Sequence, residues 1–283
     1  MRLPDFALGP ALLFCPGDRP DRYAKALDRA DAVILDLEDA VAPDRKEPAR
    51  QALVEHAVDP ERAIVRVNAV GTPDFEADLA ALARTAYRTV MVPKADASLG
   101  PLLDGRGGEP YAVVALCETA AGVLAAPALA ARPDVVALAW GAEDLVASLG
   151  GTSSRGVDGA YRDVARHARS SVLLAAAAAG KAAVDAVHLD IEDLKGLQEE
   201  AADAAASGFA ATMCIHPSHV PVIRAAYAPA DTEVARAREL LAAAEGTGGV
   251  FTFQGQMVDG PVLRHAESVL RRAGVSRGTP RPE

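Results

Sequence analysis

The stretch AVILDLEDAVA (32–42) is an apolar run of strand type that ends in three closely spaced acids, Asp36, Glu38 and Asp39. So much negative charge at a strand end calls for a cation, a proton or a polar substrate to receive it. The same pattern recurs along the chain: ALLFCPG (11–17), AIVRVNA (63–69), TVMVPKA (89–95), YAVVALCE (111–118), VVALAWGAED (135–144), AVDAVHLD (183–190) and ATMCIHP (211–217). Between these runs lie amphipathic or Ala-rich segments such as RPDRYAKALDRA, KEPARQALVEHA, PDFEADLAALARTA and DLKGLQEEAADAAASG. Strands alternating with helices imply a parallel sheet covered by helices. Eight units predict an α/β fold, a (β/α)8 TIM barrel over residues 1–225. A doubly wound open sheet would carry a glycine-rich phosphate loop, and no GxGxxG is present. Polar residues gather at the carboxyl ends of the predicted strands, the face on which barrel enzymes place their chemistry.

Residues 226–275 change character and predict a C-terminal helical extension: a helix over APADTEVARARELLAAAEG, a loop over TGGVFTFQGQMVDGP and a last helix over VLRHAESVLRRAG. This segment reads as too short to bury a core of its own, so it is expected to pack on a barrel, its own or a neighbour's. Residues 276–283 read as a disordered tail.

Half of the 283 residues are apolar and 24% are charged, an ordinary globular balance, and the net charge of −10 argues against nucleic acid or an anionic membrane as partner. Any anionic ligand needs a local basic patch. The three cysteines, Cys15, Cys117 and Cys214, are far apart and lack CxxC spacing, which predicts free thiols in a reducing compartment. With no signal-type N-terminus and no long charge-free apolar run, the expected location is cytoplasmic.

Glu118 and Asp144 end consecutive predicted strands and so should be neighbours in a closed barrel. Two carboxylates without a His or Cys partner suit a hard ion, Mg2+ before Mn2+. The lesser reading is that they are helix caps or ion-pair partners. Glu38 and Asp39 either support the same ion through its waters or form a turn pair. Asp36 faces away from Asp39 if strand alternation holds and is the lesser candidate. Arg66 can hold a carboxylate or enolate bidentately, or form an interior ion pair with Glu38 or Glu118. Lys94 admits both readings; Schiff-base chemistry is disfavoured because neighbouring carboxylates keep a lysine protonated. Arg19, Arg22 and Lys25 share a helix face, either to receive the phosphates of a large anionic cofactor or as a solvated surface. His216 is the one histidine placed beside the site. Ser153 and Ser154 lack a GxSxG context, and Trp140 reads as packing near the rim.

The segments LFCPGDRPDRYAKAL, VILDLEDAVAPDRKEPAR, VRVNAVGT, VMVPKAD, ALCETAAGV, WGAEDLVASLGG, CIHPSHV and GQMVDGPV, in order from Leu13 to Val262, resemble the citrate lyase β-subunit-like family, which includes malyl-CoA and citramalyl-CoA lyases. The resemblance implies a Mg2+-dependent carbon–carbon lyase that cleaves a 3-hydroxyacyl-CoA thioester to acetyl-CoA and a 2-oxo acid such as pyruvate, glyoxylate or oxaloacetate. It assigns Glu118 and Asp144 to the ion, Glu38 and Asp39 to its waters, and Arg66 to the keto acid or enolate. Arg19 and Lys25 fall to the CoA phosphates and adenine. Asp259, which by itself reads as a turn residue, matches the acid/base aspartate supplied by a neighbouring subunit, and a homotrimer is implied. Gly151–Arg155 would shape the acid pocket. Two other activities stay open: a citryl-acyl-carrier lyase subunit needing a partner, and an aldolase acting without a thioester.

Overall fold

Eight parallel strands close into a barrel in sequential order: β1 (Ala11–Pro16), β2 (Ala32–Asp36), β3 (Ala63–Arg66), β4 (Thr89–Val92), β5 (Ala112–Cys117), β6 (Val135–Trp140), β7 (Ala182–Asp185) and β8 (Ala211–Cys214). The computed structural model describes residues 6–102, 108–245 and 249–274, so the predicted tail over 276–283 lies outside the described residues. Strands covered by helices are buried on both faces, which is why they read as continuous apolar runs. Alternate residues, among them Leu12, Ile34, Ile64, Met91, Val114, Leu116, Val184 and Met213, fill the barrel interior. Each fully buried side chain of this size contributes roughly 1.5–3 kcal/mol of transfer free energy.

The outer helices are α1 (Pro20–Arg29), α2 (Lys46–Glu55), α3 (Pro73–Leu82), α4 (Ala120–Ala130), α5 (Ala142–Ser148), α6 (Asp163–Ala178), α7 (Leu194–Ser207) and α8 (His219–Tyr227). Short caps start several of them close behind a strand: Thr72 accepts from Phe75 N–H at 3.2 Å, and Thr119 from Gly122 N–H at 3.0 Å. The alternation is not perfect. Between β4 and β5 the described residues contain no helix, in a segment rich in Gly and Pro, whereas β6 and β7 are joined by two.

Several strands are shorter than their apolar runs, and β2 shows why. The Asp36 carboxylate accepts the N–H groups of Glu38 and Ala40 at 2.9 and 3.0 Å, turning the chain off the sheet. Glu38 and Asp39 therefore lie on the loop after β2, Lys94 on the loop after β4, and His188 and Asp190 on the loop after β7.

The chain divides into two compact units, Met1–Ile223 and Arg224–Glu283. In the second, α9 (Asp231–Ala244) and α10 (Gly260–Arg272) pack together, with Ala237, Leu240, Val258, Ala266 and Val269 buried between them and a hairpin. This corrects the expectation that the segment buries no core of its own. The hairpin, β9 (Phe251–Phe253) and β10 (Gln256–Val258), also replaces part of the predicted loop. Its two turn residues, Gln254 and Gly255, have φ values of 48° and 77°, the positive pair that a type I′ turn requires.

Candidate active site

At the ends of β2 and β3, Asp36 and Arg66 sit in register and share strand parity, so both face inward. Arg66 Nε and Nη2 donate to the two Asp36 oxygens at 2.7 and 2.6 Å, and the guanidinium lies 4.8 Å over the Phe14 ring. This corrects the sequence reading of Asp36: it does not turn away but anchors the arginine. Arg66 Nη1 is 3.1 Å from Glu38 Oε2, a buried oxygen that receives no hydrogen bond among the described residues. Burial opposes charge on Arg66, but the bond and charge of Asp36 outweigh it and hold the guanidinium firmly protonated. The loop carrying Glu38 is fixed from behind. Lys46 Nζ donates to the carbonyls of Leu37 and Glu38, both at 2.7 Å, and to Asn68 Oδ1 at 2.8 Å. Asn68 in turn donates from main chain and side chain to buried Asp78.

Glu118 follows β5 and Asp144 sits in the first turn of α5, two neighbouring positions on the barrel rim. Glu118 is only 3% exposed. Gly141 makes room for it, since a Cβ there would lie 2.9 Å from Glu118 Oε2. Burial and the adjacent Asp144 charge push Glu118 up to about 8, against the lowering effect of Lys94. Burial likewise raises Glu38 in spite of Arg66 and Lys94. Burial above all, and the neighbouring acids after it, thus disfavour ionisation of both carboxyls.

Lys94 stands among these acids. Its Nζ lies 2.6 Å from Glu38 Oε1, 3.4 Å from Asp144 Oδ1, 3.7 Å from Asp39 Oδ2 and 3.9 Å from Glu118 Oε1. Its main-chain N–H donates to Glu118 Oε1 at 3.0 Å. Burial opposes its charge, but Glu38, Glu118 and Asp144 together raise it above the ordinary lysine value, which leaves no nucleophilic amine for a Schiff base. The structure therefore brings together Glu38, Asp39, Arg66, Glu118 and Asp144, and adds Asp36 and Lys94. Among the described residues no group of three His, Cys, Asp or Glu is disposed to hold a metal by itself. Two oxygen donors, Glu118 and Asp144, suit an ion that keeps most of its shell for water and substrate, as Mg2+ does.

Within the first unit, the other predicted residues make no hydrogen bond or ion pair with this cluster among the described residues. Arg22 and Lys25 are exposed on α1, opposite its buried Tyr23, Ala26 and Leu27, and Arg19 precedes the helix with its guanidinium paired to Asp21 at 3.0 Å. His216 is exposed and hydrogen-bonds Ser218 Oγ at 2.7 Å. Trp140, the last residue of β6, packs there as expected: it is fully buried, and its indole N–H donates to Asp185 at the end of β7. Ser154 donates to Glu143, and Arg155 stacks 3.8 Å over Tyr161 while binding Glu200. These residues line a groove of about 1000 Å³ beside β7, a cavity that includes none of Glu38, Lys94, Glu118 or Asp144. Asp259, in the second unit, caps α10 by accepting from Val262 N–H at 3.4 Å.

A closed barrel with acids converging at its carboxyl rim is matched by a protein-family model, HpcH/HpaI aldolase/citrate lyase, over residues 11–99 and 104–217. The chain belongs to the HpcH/HpaI aldolase/citrate lyase family. As a member of that family it is a lyase. A citrate lyase subunit beta-like protein of Mycobacterium tuberculosis is 59% identical over 268 residues, covering 95% of this chain and 97% of the relative. Human mitochondrial citramalyl-CoA lyase is 32% identical over 293 residues, covering 93% of this chain and 85% of the relative. Among solved structures, M. tuberculosis CitE in complex with magnesium, acetoacetate and coenzyme A superposes with a TM-score of 0.87 at 58% identity, covering 95% of this chain and 99% of that one. No helix among the described residues is long and apolar enough to cross a membrane.

Proposed function

We propose that this family member is a Mg2+-dependent carbon–carbon lyase that cleaves a 3-hydroxyacyl-CoA thioester of citramalyl, malyl or citryl type into acetyl-CoA and a 2-oxo acid. The observation that carries this reading is the convergence of Glu118 and Asp144 on one cationic point beside an arginine locked in place by Asp36. It is supported by the family and by the ligands of the M. tuberculosis protein. Glu118 and Asp144 would hold the ion, and Glu38 and Asp39 would carry hydrogen bonds to its waters. When bound, Mg2+ supplies Lewis acidity to the hydroxyl that becomes the ketone.

The chain's own residues do the rest. Arg66, rigid and always charged, offers Nη1 to the negative charge that grows as the carbon–carbon bond breaks, and needs no reorganisation to do so. As the hydroxyl gives up its proton to solvent, the electrons of the carbon–carbon bond pass into the thioester enolate. By resemblance a protonated Asp259 of a neighbouring copy gives one proton to the enolate carbon and regains one from solvent, so the overall cleavage is proton-neutral. Arg19 and Lys25 provide positive charge for the CoA phosphates and adenine end. A homotrimer belongs to the same reading.

The test is release of acetyl-CoA from citramalyl-, malyl- and citryl-CoA with and without EDTA. EDTA-sensitive release from any of the three is expected. Activity only after addition of an acyl-carrier protein would favour the partner-dependent subunit. Turnover of free hydroxy-oxo acids without CoA would favour the thioester-independent aldolase.

A further inference from the structure

Four carboxylates from three separate places in the fold share one neighbour. Glu38 and Asp39 come from the loop after β2, Glu118 from the end of β5 and Asp144 from α5, and Lys94 Nζ lies within 4 Å of an oxygen of each. We infer that the Lys94 ammonium is an internal placeholder for the divalent cation, competing with it for these carboxylates and displaced when the ion binds. This rests on the Mg2+ reading above.

The geometry sets the two cations against each other. An ion bonded to Glu118 and Asp144 at about 2.1 Å would sit among the same carboxylates as the ammonium, whose Nζ is 3.9 and 3.4 Å from those two. Like charges that close repel strongly at a partly buried site. The lysine is also built to be both fixed and removable. Its backbone has φ 50°, in the left-handed region that side chains rarely adopt, so that its N–H reaches Glu118 while its side chain turns toward Glu38. The side chain remains 34% exposed, which leaves the flexible stem an open side through which to withdraw. Without an ion, Lys94 neutralises acids that would otherwise repel one another; with one, the same lysine weakens binding.

The experiment is titration of the full chain with Mn2+, followed by electron paramagnetic resonance without substrate, for wild type, Lys94→Met, Lys94→Arg and the control Glu118→Gln. Lys94→Met is expected to bind Mn2+ about tenfold more tightly than wild type, as removal of a nearby like charge requires. In EDTA its melting temperature falls below that of wild type, and saturating Mn2+ closes the gap. Lys94→Arg, which keeps the charge, stays near the wild-type affinity. Wild-type binding that is unchanged or weakened in folded Lys94→Met overturns the placeholder role alone. Failure of folded wild type and Lys94→Met alike to bind Mn2+ overturns the ion site and this inference together. If Lys94→Met does not fold, Lys94→Gln is read by the same criteria.

Discussion

Asp36 and Arg66 are register partners at the ends of adjacent strands, and both aspartate oxygens accept from the guanidinium. The same carboxylate accepts the N–H groups of Glu38 and Ala40. One fully buried side chain thus sets the direction of the site's arginine and the path of the loop that carries two of its acids. That coupling makes Asp36 a positioning residue rather than a bystander.

Asp36→Asn keeps the shape but removes the charge and presents a donor where acceptors are needed. Breaking a buried pair from one side typically costs about 3–5 kcal/mol. Urea unfolding should show a loss of about that size, and kcat/KM for thioester cleavage should fall by about a hundredfold as Arg66 loses its fixed geometry. Activity within threefold of wild type would show that Arg66 is held by something else.

Much of this site is legible in the sequence because its parts sit where barrel chemistry sits, at the ends of apolar runs. Glu118, Asp144, Glu38 and Arg66 are found that way. Asp36 is misjudged because counting alternation back from Asp39 assumes strand geometry through residues 37–39, whereas Asp36's own side-chain turn ends the strand. The central place of Lys94 depends on a positive φ that no residue type announces. Gly141 looks like an ordinary loop glycine until the volume of Glu118 is placed beside it. The hairpin had a signal, a Gln-Gly pair between FTF and QMV, but each strand has only three residues.

Gly141→Ala tests that volume requirement. The added Cβ would lie 2.9 Å from Glu118 Oε2 and 3.1 Å from its Cβ. Because φ at Gly141 is −134°, the backbone itself tolerates alanine and the clash falls on Glu118. Displacing this proposed ion ligand by a few tenths of an ångström to 1 Å should cost about 10- to 100-fold in kcat with little change in melting temperature. Unaltered kinetics would mean that Glu118 has room to shift without consequence.

Ion binding should separate the acids by role. Calorimetry with Mg2+ is expected to show binding lost in Glu118→Gln but only weakened in Glu38→Gln or Asp39→Asn, the difference between a ligand and a group that holds the ion's water. An outer-shell partner typically contributes about 10- to 100-fold in affinity. Equal loss in all three variants would place Glu38 and Asp39 on the ion itself.

The groove beside β7 gives a pH prediction. His188 Nδ1 and Glu200 Oε2 are 2.9 Å apart. The bond to Glu200 raises His188 above its usual 6.5 despite burial. Burial raises Glu200, but the bonds from His188 and Arg155 outweigh it and leave the group below its usual 4.5. The histidine's contribution is complete below pH 6.5 and is lost as pH rises through its folded value; the glutamate's is present above pH 4.5 and is lost as pH falls through its lowered value. The pair is therefore worth most between those limits. Glu200→Gln should destabilise by about 1 kcal/mol more at pH 5.5 than at pH 8 in matched urea melts. The opposite order would show that His188 is neutral in the folded protein.

Asp259 is best tested as asparagine. The wild-type side chain caps α10, and alanine would confound a lost cap of about 1 kcal/mol with lost chemistry, whereas asparagine caps as well. Asp259→Asn should lower kcat by about a thousandfold while Mg2+ and 2-oxo acid binding persist, because removing a general acid costs about 10²- to 10⁴-fold. Mixing it with Glu118→Gln, after conditions that exchange subunits, should restore part of the activity if the aspartate serves a neighbour's barrel. A barrel with intact Glu118 that takes its aspartate from a Glu118→Gln neighbour is then whole, while the reciprocal mixed site lacks both groups. No recovery despite demonstrated exchange would place the acid in its own chain's site, and normal turnover by Asp259→Asn would remove it from the reaction.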